Sequence, residues 1–399
     1  MKVLALGAAG AMGAAAVETA THLLGVEGIV IADRDGRAAE TVARRFAAAP
    51  IPVTARPLDV TDAPALRDAL SKVDLVLNTV GPYYRFGRTV LEAAIDTGTH
   101  YLDICDDWEP TLDMLGLDDA ARAAGVCAIV GMGASPGISN LLAALAAAEL
   151  DAVHDAYTAW PVDVPGAGED ESLLTDGQPT AAAVHWMQQS SGTISAVTAG
   201  RLVSQRPLRP VELTLPGGRH GTAYTVGHPE PITLQRSLKP IGDAANLMVV
   251  TPTTLAYLDV LRRDIDAGAL TNEAAARELT RPTLGRIARS VPTALRTRGP
   301  GNLPPFFAAL SGRRAGRDHR VLAHLDPSIA GGIDKLFGDM ARATGIPLAL
   351  GMSQVIDGRA RRPGVHPPES VIDAPSFFTD LGREFGGGSP VVIEQEPVG

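Results

Sequence analysis

The sequence predicts an α/β chain with an N-terminal parallel sheet domain and a second, α+β domain, on three observations. The first third alternates short apolar runs with helical periodicity. A glycine-rich turn follows the first of those runs at residue 7. After residue 137 the alternation gives way to longer, less regular segments broken by Pro and Gly. At 399 residues the chain is too long for one ordinary core. Two domains suit it, residues 1–136 and 137–399, with the segment from about 345 able to pack back on the first.

Residues 2–6 (KVLAL) read as a buried strand, 13–24 as a helix and 28–32 as a second strand. Asp35 is placed to cap a helix over 36–48. Residues 53–58 fit a third strand, and 63–70 a short helix started by Thr61 or Asp62. The apolar run 75–80 (LVLNTV) is a buried strand that runs into Gly81-Pro82. A helix at 88–97, a strand at 100–104, a helix ending near Gly125 and a strand at 126–130 complete the series. Strict alternation of this kind implies right-handed crossovers and a mostly parallel sheet.

Beyond it, 138–149 is an Ala/Leu-rich helix, and 161–179 reads as a long loop from its Pro, Gly and acidic residues. Segments 208–215 and 221–226 read as antiparallel strands around Pro216-Gly217-Gly218. Helices are expected at 253–267 and 272–290. The Arg-rich stretch 296–320 reads as a loop with a solvated basic face, 320–325 as a strand, 333–344 as a helix, and 367–388 as holding one more short helix.

Composition narrows the function classes. Aromatics are 4% of residues, so the core rests on Ala, Leu, Val and Ile. A net charge of −10 argues against nucleic acid or an anionic membrane surface as partner. Cys105 and Cys127 have no metal-ligand spacing and read as reduced thiols. The apolar run at the N-terminus stops at Gly7, too soon for a secretory signal, and no run of about 18 apolar residues exists to span a membrane. The expectation is a cytoplasmic homodimer acting on a small molecule.

Gly7, Gly10 and Gly13 form a G-x-x-G-x-x-G loop between strand and helix. Gly7 permits the tight turn, Gly10 lets backbone approach a pyrophosphate, and Gly13 lets helix and strand pack closely. Ala9, Ala11 and Met12 complete a loop whose N–H groups and helix dipole suit phosphate. Asp33 stands 20 positions past Gly13, at the end of the second strand, where it can accept bonds from ribose hydroxyls. That predicts a Rossmann-type domain holding NAD or NADP. Asp33 tips the choice towards NAD, whereas Arg34 would suit a 2′-phosphate, and Asp33 could instead cap the next helix. Asn78, Thr79, Gly81 and Pro82 end the next strand at the edge that faces the nicotinamide.

Several segments together resemble the saccharopine dehydrogenase-like family: residues 7–13, 78–82 (NTVGP), 99–104 (THYLDI), 133–140 (GASPGISN) and 364–369 (GVHPPE). The resemblance is convincing over the first 145 residues and faint beyond. It implies an NAD(P)-dependent oxidoreductase that makes or oxidises the C–N bond of amino-acid-derived imines and amines. It also implies Tyr101 and Asp103 beside the reacting centre, and Ser135 in the loop leading to the second domain, where many members carry an acid or Ala. The residues allow the same roles: Tyr101 and Asp103 share a strand face, and a phenol with a carboxylate can relay a proton. Ser135 could equally cap the following helix.

In the second domain Arg236 and Lys239 are weak candidates for substrate binding, and His228 with Glu230 is a possible acid–base pair. Two other readings stay open. One is reduction of a C=C or C=O bond in a lipid or polyketide-type substrate; the other is a non-catalytic dinucleotide sensor.

Overall fold

The computed structural model describes residues 1–164, 174–175, 178–326 and 336–398. They divide into two units. The first is Met1–Leu141 with Asp339–Pro390; the second is residues 142–326, 336–338 and 391–398.

The first unit is built on β1 (Lys2–Leu6), β2 (Gly28–Asp33), β3 (Val53–Pro57), β4 (Leu75–Asn78), β5 (His100–Asp103) and β6 (Cys127–Ile129). They run parallel in the order β3-β2-β1-β4-β5-β6, and Gly364–His366 adds a parallel edge strand beside β6. This is the order of doubly wound dinucleotide-binding sheets, with the crevice between β1 and β4. Every residue of β4 is buried, as expected of a strand covered on both faces.

Helix starts follow the side-chain chemistry. The Asp35 carboxylate accepts the Arg37 and Ala38 N–H groups to start Gly36–Arg45, and Asp62 accepts that of Ala65 to start Ala63–Leu70. The helix expected at 13–24 is Ala11–Ala20. The one expected before Gly125 is two short helices, Trp108–Leu115 and Asp118–Ala123, parted at Gly116.

The helix expected at 333–344 is Met340–Ile356, started by Asp339, whose carboxylate accepts from Ala341 and Arg342; residues 333–335 lie outside the described residues. Gly345, Pro347 and Gly351 look like breakers in the sequence, but Gly345 serves packing. A Cβ there would lie 2.5 Å from the Met12 carbonyl oxygen and 2.7 Å from the Ala16 nitrogen. The small faces of Met340–Ile356 and the Ala-rich helix Ala11–Ala20 thus press backbone close to backbone. The helix expected within 367–388 is Ala374–Glu384.

The second unit is a mixed sheet. Among the described residues its path runs Arg201–Gln205, Ile194–Thr198, Ala244–Val249, Ala152–Pro161, Phe307–Arg314, Arg317–Leu325, Val391–Pro397. The hairpin Pro210–Leu215 with Arg219–Val226 turns at Gly217 and Gly218, both at positive φ, and joins through Ala244–Val249. One sheet face carries Tyr224, Val226 and Met248 against Leu255, Leu258 and Leu261 of the helix Pro252–Asp266. The other packs Ala159, Leu213, Leu247, Phe307 and Leu322 together.

Two expectations fail here. The Arg-rich stretch is a loop only over 296–306: residues 307–325 form a hairpin closed by Ala315 and Gly316, at φ 48° and 77°. Its arginines decorate a tip that reaches past the core, which made the composition look like loop. The helix expected over 272–290 is two, Asn272–Thr280 and Leu284–Ala294, because Pro282 pushes Arg281 out of helical conformation. Most of the loop read at 161–179 lies outside the described residues.

Candidate active site

The carboxyl edge of β1, β4 and β5 gathers the predicted site residues of the first unit. Gly7 has φ 74°, and a Cβ on it would sit 3.0 Å from the Thr79 carbonyl carbon and oxygen. Gly13 is buried, and a Cβ there would meet the Ala8 Cα at 2.6 Å and the Thr79 hydroxyl at 2.7 Å. Both are required by the fold itself. Gly10 differs: it is exposed, and a Cβ on it would meet only the Gly7 carbonyl oxygen, at 3.2 Å. It is also the N-cap of Ala11–Ala20, without a side-chain acceptor for the first-turn N–H groups. Ala9, Gly10, Ala11 and Met12 are accessible. An open, cationic-ended cradle of this kind fits the pyrophosphate of a dinucleotide.

Thr79 locks β4 onto β1, its N–H and hydroxyl both donating to the Leu6 carbonyl, at 2.9 and 2.8 Å. Gly81 and Pro82 are exposed just beyond. At the end of β2, Asp33 accepts the Asp35 N–H at 3.1 Å while Asp35 does the helix capping, so Asp33 is half-buried and not the cap. Next to it lies an open basin of about 740 Å³ lined by Arg34, Asp35, Gly36, Arg37, Glu40, Pro57 and Asp59. Bonds from Thr61, helped by the charges of Arg34 and Arg85, hold the Asp59 carboxyl below its usual range. Two arginines and three acids make a basin of mixed charge, compatible with ribose hydroxyls or with a phosphate.

Tyr101 and Asp103 do share one face of β5. The Tyr101 hydroxyl donates to Asp103 Oδ2 at 2.7 Å and accepts from Asn78 Nδ2 at 3.0 Å. Asp103 Oδ1 accepts the N–H groups of Gly131, at 2.7 Å, and Cys105, at 3.1 Å. Both side chains are fully buried, one layer beneath the accessible edge. Burial pushes the Asp103 carboxyl up to about 6, against the pull of its three hydrogen bonds. Burial, and then the Asp103 charge, raises the Tyr101 phenol well above its usual value. Ser135 is the half-exposed residue of an otherwise buried loop from Gly131 to Asn140. That loop closes on itself at Gly137, φ 124°, where a Cβ would fall 2.0 Å from the Gly133 carbonyl oxygen.

Sequence reasoning missed three participants. Tyr83 donates to the Asn78 carbonyl at 2.8 Å and accepts from the Ile104 N–H, bridging the exits of β4 and β5. Asn140 takes the Gly137 N–H at 2.9 Å and donates to Glu369 Oε2 at 3.0 Å, joining the GASPGISN and GVHPPE segments. Only the tyrosine directly after NTVGP carried a local signal; the Asn140–Glu369 contact spans 229 residues.

In the second unit Arg236 and Lys239 are exposed. Lys239, at φ 53°, terminates the helix Glu230–Ser237 by donating its N–H to the Leu234 carbonyl. His228 and Glu230 are buried neighbours, Nδ1 to Oε2 3.3 Å, and Asn246 Nδ2 donates to Glu230 Oε1 at 2.8 Å. Cys105 and Cys127 are buried free thiols. No helix among the described residues is long and apolar enough to cross a membrane.

Sheet order, glycine cradle and acid at the end of β2 define a nicotinamide-dinucleotide-binding domain of the doubly wound class. Residues 3–129 match the family model of the saccharopine dehydrogenase NADP-binding domain. Over its full length the chain shares the fold of apo saccharopine dehydrogenase (L-Glu forming) from Saccharomyces cerevisiae, at TM-score 0.64 and 16% identity, covering 100% of both chains. A stretch of 49 residues is 41% identical to a saccharopine dehydrogenase-like oxidoreductase from Rattus norvegicus, covering 12% of this chain and 11% of that one.

Proposed function

We propose that the protein is an NAD(P)-dependent oxidoreductase that transfers hydride to or from the C–N bond of an amino-acid-derived imine or amine. The supporting observation is the Asn78–Tyr101–Asp103 chain beneath the edge where β4 meets the glycine cradle. A carboxyl lifted to about 6 can hold or release a proton near neutral pH, which hydride addition to an imine requires of its surroundings. In this reading Tyr101 and Asp103 set the protonation of the edge. Ser135, accessible in the adjoining loop, faces the substrate. The bound cofactor would supply the hydride carrier; Gly7, Gly10, Gly13, Asp33, Asn78 and Thr79 would hold it.

The test is a turnover panel with NADH and NADPH against keto acids with and without amines, run alongside ketone and enoyl compounds. Turnover of an amine–carbonyl pair is expected, with Tyr101→Phe lowering kcat about 10²–10⁴-fold at nearly unchanged cofactor affinity. Turnover of a ketone or enoyl substrate alone would overturn the C–N reading.

A further inference from the structure

The second unit holds a polar cluster in an otherwise apolar layer. Thr158, Trp160 and Asn246 stand on paired strands, on the sheet face that carries Val226 and Met248. Asn246 is bonded at both ends of its amide. Its Oδ1 accepts from Trp160 Nε1 at 2.8 Å, and its Nδ2 donates to Thr158 Oγ1 at 3.0 Å and to Glu230 Oε1 at 2.8 Å. Glu230, fixed in this way, brings its Oε2 to 3.3 Å from His228 Nδ1. The His228 ring lies against that of Trp160, centroids 5.7 Å apart. Thr158, Asn246, Glu230 and His228 are all buried.

The end of the helix Ala181–Gln189 runs against this cluster. The Gly227 N–H donates to the Gln189 carbonyl at 2.9 Å, and a Cβ on Gly227 would fall 3.1 Å from that oxygen, so the two backbones touch. Ser190 and His228 each stand one residue from that contact. Trp186 lies one turn before Ser190 on the same helix face, its carbonyl accepting the Ser190 N–H at 3.0 Å. Hydrogen-bonding capacity is left over in these adjoining segments. Trp186 Nε1, Ser190 Oγ and His228 Nδ1 are buried atoms without a hydrogen-bond partner. Buried polar atoms are nearly always bonded, so three unmet ones on two touching segments mark a place that a ligand completes.

The chemistry of the three atoms names the ligand. An indole N–H can only donate, and a serine hydroxyl donates readily, so Trp186 and Ser190 call for an acceptor. Glu230 Oε2 favours the proton on His228 Nδ1, which leaves Nε2 as an acceptor and calls for a donor. We propose that this cluster binds the head group of an α-amino acid. Trp186 and Ser190 donate to its carboxylate, and His228, with Glu230 behind it, accepts from its ammonium. A mixed set of this kind matches a zwitterion better than a lone carboxylate or a lone amine. Trp160 and Trp186, both half-buried, give the ammonium aromatic faces to lie on. The choice of an amino acid among zwitterions rests on the C–N reading given above.

Calorimetry and tryptophan fluorescence of the full chain without cofactor test this. The probes are L-alanine, L-leucine, L-glutamate and L-lysine, with propionate, 4-methylpentanoate and isopentylamine as ligands that lack half of the head group. At least one amino acid should bind and change the tryptophan emission, and the half-ligands should bind at least about 10-fold more weakly. Trp186→Phe, which keeps an aromatic ring, and Ser190→Ala should each weaken the amino acid at least about 10-fold. Ser190→Ala should also leave the Tm of the free chain unchanged or raised, because its hydroxyl has no partner to lose. Three results would overturn the proposal: no amino acid binding up to about 20 mM, affinity unchanged in both variants, or a lower Tm for Ser190→Ala, which would show its hydroxyl already satisfied by water. The two readings fail separately. An amino acid that binds here while only ketone or enoyl substrates turn over would refute the C–N chemistry and keep the site. C–N turnover with unchanged KM in both variants would refute the site alone.

Discussion

Replacing Asp103 with asparagine isolates the energetic cost of a buried charge at the candidate site. The carboxyl rises from 3.8 to about 6, roughly two units, which at 1.36 kcal/mol each makes about 3 kcal/mol. Because the folded value lies above the unfolded one, the folded state holds the proton more tightly. Its stability is therefore full below pH 3.8 and falls as the pH rises through 6. Asparagine keeps an acceptor for the Gly131 and Cys105 N–H groups and has no charge to desolvate. Asp103→Asn should thus gain on wild type with rising pH, by about 2 kcal/mol between pH 4.5 and 7.5, where most of the shift is felt. Urea unfolding followed by circular dichroism across that range measures it as a difference, in which other titrating groups cancel. Stability curves that stay parallel from pH 4.5 to 7.5 would refute the reasoning.

Other outcomes follow from the same geometry. Gly10→Val should abolish dinucleotide binding by calorimetry with little loss of stability, whereas Gly13→Ala, with 2.6 Å to Ala8 Cα, should cost about 1–3 kcal/mol in unfolding. Asp33→Ala should weaken NAD by about 1.5–3 kcal/mol and raise the NADP/NAD ratio of kcat/KM. Lys239→Gly relieves a left-handed residue and should stabilise the fold by up to about 1 kcal/mol; a raised KM in the same variant would mark Lys239 as a substrate ligand.

The six strands of the first sheet were legible because each is an apolar run between local punctuation: Gly7, Asp35, Asp62, Gly81-Pro82, Gly98. Asp33, Tyr101 and Asp103 were legible because they sit at strand ends, where position follows from period and length. What escaped depends on distant partners. Gly364–His366 is a strand only because the edge of β6 waits for it, and three residues carry no period of their own. Gly345 reads as a breaker until the backbone of Ala11–Ala20 is set 2.5 Å from its absent Cβ. Val391–Pro397 offered a β-rich run, VVIEQEP, that went unread; its partner, Arg317–Leu325, lay partly in the stretch taken for a loop. The burial of Tyr101 and Asp103 was equally out of reach, since Gly131 and Asn78 reach them from two other segments.

The helix Met340–Ile356 lies against the nucleotide-binding helix, and Gly364–His366 closes the sheet that begins at Lys2. On a ribosome these pieces emerge about 210–240 residues after β6, roughly 10–50 s later at ordinary elongation rates. Throughout that interval the first sheet has an open edge and an uncovered alanine face. The first unit is thus completed only after most of the second has been made. A chain cut short before residue 340 should be left with a cofactor domain that lacks both pieces, however intact its glycine loop.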